Sequence, residues 1–260
     1  MKFMELGKPE NPVVILLHGG GLSWWSVEEQ ARLLQSEYRV VMPIIDGHGE
    51  DADTDFVSIR DSAGKLLSFI DRNCGGHVFA LCGLSLGAQI AAEALAARPE
   101  IADFAALESV LVQPGHDRGR NIPEPILRLS HRLLRYRPFA VLQSKALSLP
   151  KELFEPYFRD SQKLSLNSLI HLLDSNGDFH IPVSLRDTKA KVLILAGSGE
   201  SIEMKLSAGL LKKAVPGSRL VFAQGMRHGE FSIKHPETYV RVLEQWFSGA
   251  DFLGKGMKEA

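Results

Sequence analysis

Gly83-Leu84-Ser85-Leu86-Gly87 is the stretch of this chain best suited to chemistry. The apolar run Val78-Phe79-Ala80-Leu81-Cys82 before it predicts a buried strand, and the alanine-rich residues from Ala88 onward predict a helix. A serine flanked this way stands on a sharp, strained bend with its hydroxyl exposed, as a nucleophile requires. The flanking glycines let strand and helix close around it. The Leu86 amide, in the first turn of that helix, can donate to a developing oxyanion. The same five residues also occur as an ordinary turn, and the strand-turn-helix context is what favours the nucleophile.

Other residues could complete such chemistry. His18-Gly19-Gly20-Gly21 follows the apolar run Val13-Val14-Ile15-Leu16-Leu17. Successive glycines let the backbone approach a ligand and point its amides inward, so Gly20 and Gly21 are candidate oxyanion donors. A phosphate-cradling loop would need a Lys-Ser/Thr pair, which this stretch lacks, leaving a flexible loop as the alternative. His18 itself reads as a support for the loop. Trp24 and Trp25 either wall a substrate pocket or pack the structure above it. Glu200 lies in a Gly-Ser-Gly-Glu turn and His228 in Met-Arg-His-Gly, each just past an apolar run. Glu108 closes another apolar run.

Those turns need elements to position them. Strands are expected at 3–6, 13–17, 39–45, 77–82, 104–107, 191–197 and 219–222, with helices at 27–35, 56–70, 88–97, 202–213 and 236–247. Alternating strands and helices with continuously apolar strands predict an α/β protein, a mostly parallel sheet flanked by helices. In such sheets ligands collect at the carboxyl ends of the strands, where the four candidate turns fall. From residue 115 to 182 the texture changes. Prolines recur, strand-like runs are absent, and Ile126, Leu129 and Leu133 form a helical stripe opposite Arg128, Arg132 and Arg135. The leucines from 164 to 173 suggest a further helix. This segment reads as a helical cap inserted into a core of 1–114 and 183–260. Its arginines form a solvated face or one that steers an acidic substrate. The tail from 248 reads as frayed.

Composition excludes several classes. The 260 residues are 45% hydrophobic and 23% charged with a formal net charge of -1, so no electrostatic footprint for nucleic acid exists. Cys74 and Cys82 form neither a disulfide framework nor a metal-ligand spacing, and no metal or cofactor is expected. The first ten residues lack a signal-peptide core and the run 13–17 is too short to span a bilayer, so a cytoplasmic protein is expected.

With these motifs in place the chain resembles α/β-hydrolase-fold serine hydrolases over nearly all of its length except the cap. That resemblance implies a triad in the order Ser85, Glu200, His228. Ser85 would attack an acyl carbon, His228 would remove its proton, and Glu200 would orient the imidazole. Glutamate stands where the family more often has aspartate, and the usual Pro-Asp pair reads Pro43-Ile44. Some relatives take the acid from the preceding strand end, which makes Glu108 the alternative, with Asp174 and Asp178 more remote. The implied activity is cleavage of a small carboxylic ester or thioester, with a small acyl compound as partner and no membrane segment. The fold also serves C–C hydrolases, lyases and cofactor-free haloperoxidases. A ligand-binding or regulatory protein with negligible turnover is the alternative from another class.

Overall fold

Valine, isoleucine and leucine crowd the short runs of this chain without polar alternation, which suits strands covered on both faces. The computed structural model describes residues 1–112, 123–250, 254 and 256–260. In chain order the elements are β1 (Lys2–Leu6), β2 (Val13–Leu17), α1 (Glu28–Leu34), β3 (Arg39–Ile44), α2 (Ile59–Asn73), β4 (Val78–Leu84), α3 (Leu86–Ala97) and β5 (Ala102–Glu108). Four helices follow, α4 (Glu124–Leu133), α5 (Arg137–Ala146), α6 (Phe154–Ser161) and α7 (Leu166–Gly177). The chain then returns through β6 (Lys191–Gly197), α8 (Ile202–Ala214), β7 (Arg219–Ala223), α9 (Glu230–Lys234), α10 (Pro236–Ser248) and β8 (Met257–Glu259).

Among the described residues the strands form one sheet in the order β1-β3-β2-β4-β5-β6-β7-β8. Strands β2 to β7 pair in parallel, and only the edge strands β1 and β8 run antiparallel to their neighbours. The pleat sends alternate residues to opposite faces. Ile15, Leu17 and Leu81 therefore pack with α2, α3 and α8 on one side, while Val14, Leu16 and Cys82 pack with α1 and α10 on the other. This is the α/β architecture expected from the sequence. No helix among the described residues is long and apolar enough to cross a membrane.

Three local expectations change. Pro138, one of the recurring prolines, sits in the first turn of α5, where a missing N–H costs nothing. Thus α5 and α6 join the two helices expected between β5 and β6. Within α4, Leu127 is the buried residue, while Ile126 and Leu129 are exposed. The tail is not frayed throughout: Met257–Glu259 pairs with β7, and the Glu259 carboxylate accepts from Arg219 at 2.7 Å. The expected start of the inserted segment, residue 115, lies outside the described residues.

Candidate active site

Ser85 ends β4 and opens α3 with φ 52° and ψ -114°, a conformation that is strained for any residue with a side chain. Neighbouring glycines impose it. A Cβ on Gly83 would lie 2.5 Å from the backbone of Gly87, and one on Gly87 would lie 2.5 Å from the Leu17 carbonyl. Only backbone without side chains can approach so closely. The Ser85 N–H is held by the Glu108 carbonyl at 2.8 Å, tying the bend to β5.

Ser85 lines a cavity of about 120 Å³ together with Gly19, Gly20, Leu86, Asn176 and His228. Gly20 and Leu86 border the same cavity as Ser85, and the Leu86 N–H is a first-turn group without an acceptor in its own helix. Gly21 does not border it. Its N–H donates to Nε2 of His48 at 3.0 Å, and this corrects its assignment as a donor to the reacting oxygen. His48 in turn donates through Nδ1 to the Asp46 carbonyl at 2.9 Å. His18 works the same way, donating through Nδ1 to the Gly19 carbonyl and accepting from the Ile45 N–H. Burial, together with the neighbouring His48, holds His18 down to about 3, and burial also lowers His48. Both rings are neutral struts that fix the glycine loop.

Glu200 follows β6 with a fully buried side chain. One carboxylate oxygen accepts from the Gly197 N–H and from the Ser109 hydroxyl, both at 2.7 Å. The other faces His228 Nδ1 at 3.3 Å. Burial alone would raise its pKa, but the bonds from His228, Gly197 and Ser109 outweigh that and leave it below the ordinary value. The carboxylate is therefore charged and aimed at the imidazole.

Glu108 is buried nearby with a different partner: its carboxylate accepts from the Ser232 N–H in α9 at 3.3 Å. Burial, with the Glu200 charge adding to it, pushes Glu108 up to about 7 although Ser232 bonds to it. Of the two carboxylates, Glu200 is the one that reaches His228. Asp174 and Asp178, at the end of α7, border neither this cavity nor the larger one beside it. Trp24 and Trp25 also border neither, contrary to their expected place in a pocket wall. Trp25 is buried in a cluster with Leu22, Tyr157 and Ile233, and its ring N–H donates to Asp160 at 2.8 Å. Its large apolar ring anchors α6 to the core.

Sequence reading missed Ser109, His48, Asn176, Leu147 and Leu172. Ser109 carried one signal, its place immediately past an apolar run. The others sit in loops and helices whose approach to Ser85 no spacing rule reveals. No group of three or more potential ligands is placed to hold a metal among the described residues.

A model of the alpha/beta hydrolase family matches residues 14–242. An AB hydrolase superfamily protein from Gibberella zeae is 22% identical over 255 residues, 94% of this chain and 83% of that protein. Among solved structures, a thermophilic esterase from Thermogutta terrifontis is similar at 19% identity and TM-score 0.75, with 95% of this chain and 93% of that one covered. A bromoperoxidase from Bacillus anthracis is similar at 15% identity and TM-score 0.77, with 95% and 94% covered. Identities this low carry the fold and leave the substrate open. The family match runs from β2 through the serine bend and the Glu200 turn into α10, and on that ground the chain belongs to the alpha/beta hydrolase family.

Proposed function

We propose that this chain is a serine hydrolase that cleaves a small carboxylic ester or thioester through an acyl-enzyme on Ser85. The observation that carries the reading is the contact of Glu200 with His228 Nδ1 at 3.3 Å, with His228 and Ser85 bordering one cavity. In this mechanism the far nitrogen of His228 takes the Ser85 proton as the oxygen attacks the acyl carbon. Glu200 holds the imidazole by its near nitrogen and stabilises the positive charge that forms. The Gly20 and Leu86 N–H groups receive the oxyanion, and one such donor contributes about 10²–10³ in kcat. The imidazolium then protonates the leaving group, and water releases the acyl group by the same route in reverse. The four helices between β5 and β6 act as the cap over the core formed by 1–114 and 183–260.

A fluorophosphonate probe tests the reading directly. The expected result is one covalent adduct on Ser85 and its absence in Ser85→Ala. A folded wild-type protein that takes no adduct and cleaves no p-nitrophenyl or thioester substrate would overturn it.

A further inference from the structure

Beside the cavity that holds Ser85 lies a larger chamber of about 330 Å³. Gly20, Leu22, Leu147 and Leu172 border both, so the two meet at a throat of glycine and leucine. Leu172 stands directly over the oxyanion loop: a Cβ on Gly20 would meet both of its methyl groups at 3.6 Å. Beyond the throat the wall is formed by Leu134, Leu164, Leu169, Leu173 and Tyr157.

Polar groups along this wall are already bonded to one another. His48 accepts from Gly21, and the Tyr157 hydroxyl donates to Gln143 at 2.9 Å. Asp160 accepts from Trp25, Arg159 and Lys163. The Ser161 hydroxyl donates to the Phe158 carbonyl. A polar ligand would lose water against a wall made largely of leucine side chains, whereas a hydrocarbon loses nothing.

The position of His228 decides which half of an ester fits. The imidazole must hand its proton to the departing oxygen, so the leaving group lies on its side. His228, Gly229 and Asn176 border the small cavity and not the chamber. On that side the Asn176 side-chain carbonyl is buried without a partner. The chamber branches off at Gly20, beside the oxyanion loop.

We infer that the chamber receives the acyl arm of the substrate, an apolar chain of medium length, and that Leu172 and Leu147 at its throat govern entry. This rests on Ser85 being the acylated nucleophile. If a methylene takes about the volume of a water molecule in the liquid, roughly 30 Å³, the chamber of about 330 Å³ holds on the order of ten to eleven carbons.

Two substrate series on the full chain test the assignment. One varies the acyl chain from acetyl to dodecanoyl with p-nitrophenol as the constant leaving group; the other varies the alcohol with acetyl held constant. In the first, kcat/KM is expected to rise about fourfold per methylene, the worth of a buried CH₂, to about ten carbons and then fall. The second series is expected to stay within about threefold over the same length range. Leu164→Trp, which fills the far wall, should lower the octanoyl-to-acetyl ratio of kcat/KM at least tenfold. Should that variant fail to fold, Leu169→Phe tests the same wall, and the wild-type series decide without either. An acyl series that is flat or falls from acetyl, an alcohol series that climbs instead, or an unchanged ratio in a folded wall variant would overturn the assignment. Absence of a Ser85 adduct together with no cleavage in either series would instead overturn the nucleophile on which it rests.

Discussion

Ser109 donates its hydroxyl hydrogen bond to Glu200 at 2.7 Å from a backbone with φ 54°, a second strained residue beside the strained serine. The same hydroxyl oxygen accepts from the Gly229 N–H at 3.4 Å. One side chain thus ties the carboxylate turn to the histidine loop. Its neighbour Glu108 holds Ser85 by the backbone and Ser232 by the side chain. The carboxyl end of β5 is where the turns bearing Ser85, Glu200 and His228 are tied together.

Ser109 therefore positions Glu200, and two substitutions separate its hydroxyl from its strain. Ser109→Ala and Ser109→Gly both remove a hydrogen bond to a charged group, worth about 1.5–3 kcal/mol, so kcat should fall roughly 10- to 100-fold in each. Glycine also relieves the left-handed backbone, which should leave it about 1 kcal/mol more stable than the alanine variant. Thermal melts read with kcat check this. Activity restored in the glycine variant would show that the hydroxyl is dispensable.

Glu200→Gln should lower kcat by about 10⁴, because an amide supports the wrong imidazole tautomer and cannot stabilise the imidazolium. Glu108→Gln should keep most activity, since its carboxylate bonds Ser232 rather than His228. Steady-state kinetics on the two variants decide the point, and the reverse ranking would move the acid to β5.

Ser85→Ala should abolish turnover and leave the melting temperature within a few degrees, because only one half-buried hydroxyl is removed. His228→Ala should cost nearly as much, and the double variant little more, because nucleophile and base act as one unit. Clearly additive losses in kcat would contradict the pairing.

Glu108 also gives a pH signature in stability. Its ordinary value is 4.5 and its folded value about 7, so the folded state holds its proton after the unfolded chain has released it. A stabilising contribution is thus fully present below pH 4.5 and is lost as pH rises to about 7. At 1.36 kcal/mol per pH unit that span amounts to roughly 3 kcal/mol. Glu108→Gln lacks the titrating group. Urea unfolding of both proteins at several pH values should show wild type losing stability relative to the variant across that window. A difference that does not change with pH would refute the assignment.

Gly87→Ala should destabilise the fold by about 1–3 kcal/mol or more, since the added methyl would meet the Leu17 and His18 carbonyls at 2.5 and 2.6 Å. These atoms are backbone and cannot swing aside. A variant that folds with unchanged stability would mean the bend can open.

Much of this architecture was legible in order along the chain. Apolar runs free of polar alternation marked β2 to β7, because a strand covered on both faces must be apolar throughout. The serine bend was legible because its chemistry is local: strand, glycines and helix lie within a few residues. The order of residues that the family resemblance implies singled out Glu200 and His228 as candidates. What depends on residues distant in sequence was not legible. Gly21 looked like its neighbour Gly20, and only the arrival of His48 from another loop engages its amide. Trp24 and Trp25 suited a pocket wall by type, yet α6 places Asp160 where Trp25 is drawn into the packing beneath. Ser109 carries its role in a positive φ that no serine announces. The chamber exists because leucines of α7 and of the connections that follow α4, α5 and α6 line one space beside Gly20, and such convergence is a property of packing. Sequence determined which residues could react; the tertiary structure decided which carboxylate reaches the histidine and which glycine amide is already bonded, because both depend on loops brought together from distant parts of the chain.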